Sequence, residues 1–109
     1  MKRTFIEVPM FTRKWAELGL TDDILRNLEN ELLENPKAGD VIRGTGGLRK
    51  IRIPLDNSGK RGGGRVIYID IELKESIYLI NVYTKNEKDD LTDDEKKAFK
   101  AVVKLLKEG

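Results

Sequence analysis

The sequence predicts a single α+β domain spanning residues 1–109, with helices packed on one small antiparallel sheet in the order β-α-α-β-β-β-α. Three observations predict it. Two apolar stripes of helical period lie before residue 36, period-two alternation takes over from residue 49, and a capping box near residue 92 returns the chain to helical period.

The elements follow in order. Thr4–Val8 is short, β-leaning and bounded by Pro9, which marks a first strand. Met10–Leu18 carries Phe11, Trp15 and Leu18 at helical spacing, and Gly19 supplies the stop. Thr21 is a good N-cap, with Asp22 and Asp23 favourably placed at the positive end of the helix dipole. Ile24, Leu25, Leu28, Leu32 and Leu33 form one stripe that ends at Asn35-Pro36, so the two helices make an αα-hairpin. Arg49–Leu55 alternates, with Ile51, Ile53 and Leu55 on one face and Lys50 and Arg52 on the other. Arg65–Glu72 and Ile77–Tyr83 are β-branched and aromatic, and the charged turn Leu73–Ser76 between them completes a three-strand meander. Thr92-Asp93-Asp94-Glu95 then opens a helix whose inner face is Phe99, Val102, Val103 and Leu106, with Lys96, Lys97, Lys100, Lys104 and Lys107 outside.

Composition narrows the chemistry. The 39% apolar and 37% charged content suits a soluble globular domain, and no apolar run approaches the ~20 residues of a membrane span. The N-terminus lacks the apolar segment of a secretion signal, so a cytoplasmic protein with no membrane role is expected. The chain has neither cysteine nor histidine, which removes disulfides, thiolate metal sites and the commonest general base. Any catalysis must run on Lys, Arg, Tyr, Asp or Glu. The net charge of +2 conceals an asymmetry: residues 43–65 hold seven basic side chains against Asp56 alone, a balance of +6, while each flank is at −2. Charge alone fits a polyanion footprint and a solubilised edge hairpin equally well.

Alternation sharpens the choice. If Ile51 and Ile53 face the core, Lys50 and Arg52 point to the opposite sheet face, where Arg65 and Tyr83 on the next two strands can join them. Two or three cations with a Tyr on one sheet face suit a phosphodiester. The glycine-rich Ser58–Gly64 loop permits close backbone approach to a phosphate, although it is no P-loop and no helix follows it. Gly44-Thr45-Gly46-Gly47 reads first as a turn.

Three linked motifs add a family resemblance. The stretch from Asn35-Pro36 through Gly39-Asp40, Gly44, Gly46-Gly47, Arg49-Lys50 and Arg52 resembles the "NP..GD.I.G.GG.RK.R" signature of RelE/HigB-type toxins of bacterial toxin–antitoxin systems. Lys60-Arg61-Gly62-Gly63-Gly64-Arg65 through Tyr68 is similar to the family's "KRGG.R.IY", and Tyr83-Thr84-Lys85-Asn86-Glu87 to its "Y.KNE". The resemblance implies a RelE-like fold and a cofactor-free, metal-independent endoribonuclease. Such an mRNA interferase cleaves messenger RNA in the ribosomal A site and inhibits translation. Arg52 and Arg65 would then sit on the scissile phosphate, Lys50 or Lys85 would transfer protons, and Tyr83 would stack on or orient a base. Lys60, Arg61, Arg49 and Asn86 would hold RNA or the ribosome. A lysine among other cations gives up its proton more readily, so a lysine can serve as acid or base where histidine is absent.

The implied partners are a cognate antitoxin of helix-turn-helix, HigA-like type, the ribosome with its message, and operator DNA through the antitoxin complex only. Some superfamily members place a catalytic Arg at the end of the last strand and a Tyr or His near the final helix. Here Lys85-Asn86-Glu87 and Thr92 stand in those places, so the general acid and base stay unassigned. Two other readings are a ParE-like toxin that poisons gyrase without nuclease activity, whose chains generally lack the basic central strands, and a non-toxic nucleic-acid-binding domain. A metal-dependent nuclease would need more oxygen ligands than Asp56 brings to the basic segment.

Overall fold

The computed structural model describes residues 2–56, 62–87 and 90–109. Strand β1 (Thr4–Glu7) leads into helix α1 (Pro9–Glu17) and helix α2 (Asp22–Glu34). Strands β2 (Asp40–Val41), β3 (Arg49–Ile53), β4 (Gly64–Ile71) and β5 (Ser76–Thr84) follow, and helix α3 (Asp93–Glu108) closes the chain.

Each helix boundary has a local cause. Pro9 fits the first turn of α1, where its missing N–H is no loss. At the other end the Leu20 N–H donates to the Trp15 carbonyl and the Gly19 N–H to the Ala16 carbonyl, a Schellman turn that carries Leu20 back into the core beside Trp15. The Thr21 hydroxyl accepts from the Ile24 N–H at 3.2 Å to cap α2. The reciprocal Thr92–Glu95 capping box opens α3 as its sequence indicates.

The fold class is α+β, as expected, but the sheet is mixed rather than antiparallel. Its order is β1-β5-β4-β3-β2, and β1 runs parallel to β5 with Thr4 opposite Ser76. Local pattern marks β1 as a strand but carries no information on which distant strand it joins. An Arg3–Asp70 pair ties this edge down, with Nε 2.7 Å from Oδ1 and Nη2 3.2 Å from Oδ2. The two-residue strand β2 adds to the far edge, too short for alternation to signal it.

Helices cover both faces. On one, α1 and α2 present Phe11, Trp15, Ile24, Leu28 and Leu32 to Ile51, Ile53, Val66, Tyr68, Leu79 and Val82. On the other, α3 presents Val103, with Phe99 and Leu106 beside it, to Leu48, Ile67, Ile69 and Ile80. Val102, expected on the inner face of α3, is 38% exposed, because the helix rolls so that Phe99, Val103 and Leu106 alone line its contact.

The register between β4 and β5 shifts at Ile67/Tyr68: Ile67 pairs with Asn81 and Tyr68 with Leu79, leaving Ile80 as an extra residue on β5. Beyond this bulge the alternation inverts. Ile77, Leu79 and Val82 therefore join the α1–α2 core, while Ile80 and Tyr83 join the α3 core.

The corner after α2 is pinned to the sheet from beneath. The Tyr68 hydroxyl donates to the Pro36 carbonyl at 2.8 Å and accepts the Gly39 N–H at 2.9 Å, and burial pushes this phenol above its ordinary pKa. Gly39 is required by space: a Cβ there would lie 2.9 Å from both the Lys50 carbonyl and the Tyr68 ring. Gly39→Ala is expected to destabilise the protein by about 1–3 kcal/mol through overpacking. The midpoint of urea unfolding measures this, and an unchanged midpoint would show that the corner yields freely.

Candidate nucleic-acid site on the sheet face

The antiparallel registers build the site. Arg52 on β3 lies opposite Arg65 on β4, which lies opposite Tyr83 on β5. Residues directly opposite share a face with Cβ atoms about 5 Å apart, so these three form one row across three strands. The neighbouring row is Asp40, Lys50, Ile67 and Asn81. The bulge in β5 is what brings Tyr83 to this face; unbroken alternation would have placed it in the α1–α2 core with Ile77 and Leu79.

Burial divides the row into two layers. Arg52 is exposed and Lys50 partly so. Arg65 was expected at the sheet surface, but it is only 4% exposed, and its Nη1 donates to the Gly62 carbonyl at 2.7 Å and the Gly64 carbonyl at 3.2 Å. Tyr83, expected to stack on a base, is 1% exposed in the core beside Leu91 and Ile80. Both lie on the central strands β4 and β5, where Tyr83 packs with Leu91 and Arg65 turns back onto the Gly62 and Gly64 carbonyls. Arg52 and Lys50 form the outer layer that can meet a phosphate, and Arg65 and Tyr83 the layer that supports it.

Lys50 has a neighbour that sequence pattern did not suggest. Its Nζ lies 3.6 Å from the Asp90 carboxylate, delivered by the segment entering α3. A cleft of about 280 Å³ opens here, lined by Asp40, Val41, Ile42, Arg43, Lys50, Asp90 and Lys96.

The remaining expected residues are placed apart from this layer. Arg49 points to the opposite sheet face, where its Nη1 donates to the Gly39 carbonyl at 2.7 Å and the Lys37 carbonyl at 3.3 Å. There it fastens the same corner as Tyr68, its cross-strand partner. Lys85 and Asn86 are exposed in the turn after β5, and the Lys85 N–H extends the ladder to the Gly63 carbonyl at 2.9 Å. Glu87 ends that turn, accepting from the Thr84 N–H and hydroxyl while its other oxygen meets Lys14 at 3.3 Å. The Thr84 N–H first, and Lys14 next, hold the Glu87 carboxyl below its ordinary pKa. Lys60 and Arg61 lie outside the described residues, as does most of the Ser58–Gly64 loop. Gly63 and Gly64, read as allowing phosphate approach, are accounted for by packing: a Cβ at either would meet Leu55 or Ile53 at 2.8 Å. Gly44–Gly47 forms a turn closed by the buried Thr45, whose hydroxyl donates to the Ile42 carbonyl at 2.6 Å and accepts the Leu48 N–H at 3.2 Å. Among the described residues no group of three or more Asp or Glu is gathered for a metal, and no helix is long and apolar enough to cross a membrane.

Known structures share this fold. In the free state, a double arginine-to-alanine mutant of Escherichia coli RelE superposes with a TM-score of 0.57 at 22% identity, covering 82% of this chain and 90% of that one. The isolated E. coli RelE toxin covers 94% and 99% of the two chains at 21% identity and a TM-score of 0.53. The RelE–RelB complex from the archaeon Pyrococcus horikoshii contains a chain that matches with a TM-score of 0.52 at 22% identity, covering 81% of this chain and all of that one. At such identities these structures speak to the fold. The sequence itself matches the family model described as "RelE toxin of RelE / RelB toxin-antitoxin system" over residues 4–108, so the chain belongs to the RelE toxin family.

Proposed function

We propose that this protein is a cytoplasmic, ribosome-dependent endoribonuclease, a toxin that cleaves messenger RNA in the ribosomal A site and is neutralised by a cognate antitoxin. The observation that carries the reading is the cross-strand row of Arg52, Arg65 and Tyr83 beside Lys50. Cations packed on one rigid sheet face suit a reaction whose charge grows on a phosphoryl group.

The reaction this row supports is attack of a ribose 2′-hydroxyl on the adjacent phosphodiester. The 2′-oxygen–phosphorus bond forms as the bond to the 5′-oxygen breaks, leaving a 2′,3′-cyclic phosphate and a 5′-hydroxyl. The 2′-hydroxyl must lose a proton and the departing 5′-oxygen must gain one. Arg52 offers a planar fork to two non-bridging oxygens and cannot lose its charge. Proton transfer at the reacting oxygens falls to Lys50, one row away on the same face, or to Lys85, exposed in the turn after β5, the two lysines the family resemblance implies. Arg65 holds Gly62 and Gly64 and so positions the β4 end beneath Arg52. A shallow sheet face this small leaves the ribosome to hold the message in line.

The antitoxin enters through the family: RelE of E. coli and of P. horikoshii are both found in complexes with RelB. An acidic antitoxin segment over the basic face, or one blocking entry to the ribosome, would silence the toxin, and operator DNA would be met through that complex. Expression alone is expected to arrest growth, with rescue by the antitoxin encoded beside it and message cleavage that requires translation. Unimpaired growth with confirmed soluble protein would overturn the toxin reading. Efficient cutting of naked messenger RNA at physiological salt would overturn ribosome dependence. Growth arrest with intact messages and inhibited gyrase would favour the ParE-like alternative.

A further inference from the structure

We infer that Glu87 is a positioning residue for the cleavage reaction, closing the Thr84–Glu87 turn so that the backbone of Lys85 stands fixed beside that of Arg65. The reaction, and Lys85 as one of its two lysines, rest on the nuclease reading above. The turn stands on its own geometry.

Thr84 and Glu87 are three residues apart, the spacing of a capping box, and they close on each other as one. The Glu87 N–H donates to the Thr84 hydroxyl at 3.2 Å. In return Glu87 Oε1 accepts the Thr84 N–H at 3.2 Å and the Thr84 hydroxyl at 3.3 Å. The Glu87 N–H also reaches the Thr84 carbonyl at 3.1 Å. At Thr92 and Glu95 the same device opens α3. After Thr84, among the described residues, no helix begins before Asp93. The box here holds a turn instead, with Lys85 and Asn86 exposed at its tip.

Both ends of the turn are tied to fixed parts of the fold. At its start the Lys85 N–H donates to the Gly63 carbonyl at 2.9 Å, and Arg65 Nη1 donates to the carbonyls on either side, Gly62 at 2.7 Å and Gly64 at 3.2 Å. Three successive carbonyls therefore hold the Lys85 backbone and the Arg65 guanidinium to one stretch of chain. At its end Glu87 Oε2 meets Lys14 Nζ at 3.3 Å. Lys14 lies on α1 next to Trp15, which is buried and stacks on Phe11 in the core. Each carboxylate oxygen thus has its own task, one inside the turn and one on α1, and together these contacts lower the Glu87 pKa.

Exposed ion pairs add little stability, so the bracing is better accounted for by what the turn carries. Lys85 has a flexible stem, and a fixed backbone removes the largest source of its wandering. A reacting group displaced by about 1 Å can lose about 10²-fold in rate.

Single-turnover cleavage on programmed ribosomes, over a range of ribosome concentrations, tests this with Glu87→Ala, Lys85→Ala and the double variant. Glu87→Ala is expected to lower the maximal rate by about 10–10²-fold, with the half-saturating concentration unchanged. In the Lys85→Ala background it should cost nothing further, because a residue that acts through Lys85 has no effect once Lys85 is gone. Glu87→Gln keeps an oxygen for the Thr84 N–H but loses the pull on Lys14, so an intermediate rate is expected. If thermal melts show Glu87→Ala unfolded, Glu87→Gln replaces it in the cycle. A wild-type rate in either single variant overturns the inference and leaves the nuclease reading standing. So does a loss confined to the half-saturating concentration. An equal loss from Glu87→Ala with and without Lys85, the mark of a purely structural role, does the same. A wild-type chain that leaves ribosome-bound messages intact overturns the nuclease reading and this role together.

Discussion

Arg52→Ala is expected to slow message cleavage on the ribosome by about 10²–10³-fold while leaving the fold intact, by analogy with removal of one preorganised donor to a developing oxyanion. Arg52 is exposed in mid-β3, between Ile51 and Ile53, which are 6% and 2% exposed and anchor the strand without it. Truncating such a surface side chain changes stability by about 0.5 kcal/mol or less. The activity loss should therefore stand apart from any folding loss. Arg52→Lys should recover only part of the rate, because a point charge does not reproduce the two-pronged grip on phosphate oxygens. Single-turnover cleavage on programmed ribosomes, paired with thermal melts, measures both quantities. A wild-type rate in Arg52→Ala would move the chemistry off this sheet face.

Arg65→Ala is expected to abolish toxicity and, unlike Arg52→Ala, to weaken the fold as well. The Arg65 guanidinium is buried and donates to the Gly62 and Gly64 carbonyls. Its removal leaves polar carbonyls short of a donor, a loss of about 1–3 kcal/mol, and opens space beneath Arg52. Arg65→Lys restores a cation but not the reach and planar shape that carry Nη1 to both carbonyls, so stability should recover partly and cleavage little. That divergence identifies a positioning role: a purely structural residue would regain activity in step with stability. Urea midpoints and cleavage rates for the two variants decide it, and a folded, fully toxic Arg65→Ala protein would remove Arg65 from the site.

Much of the site was legible because alternation is a local property. Ile51 and Ile53 announce an inward face, and that alone sends Lys50 and Arg52 to the other. The same parity puts Arg49 with Ile51 and Ile53, on the face away from Lys50 and Arg52, and there it fastens the Pro36–Gly39 corner; its RNA-holding role came from the resemblance and not from alternation. Alternation failed for burial, since it tells which face Arg65 and Tyr83 occupy but not what covers that face. Asp90 was invisible as a neighbour of Lys50, because forty residues of chain separate them and only the path into α3 brings them together.

By itself the sequence determined the elements and their ends. Caps, stops and periodicity are set by residues within a turn or two of one another, so Thr21, Thr92, Gly19 and Asn35-Pro36 could be read directly. The absence of histidine and the charge balance of residues 43–65 likewise determined what chemistry was open to the chain. Only the tertiary structure decided that β1 lies parallel to β5, that α3 closes the face opposite α1 and α2, and that one extra residue at Ile80 turns Tyr83 toward Arg65. Those outcomes depend on which distant surfaces bury the most apolar area together, and a bulge inverts every side chain beyond it. No local pattern contains that information, so the assembled row of Arg52, Arg65 and Tyr83 belongs to the fold.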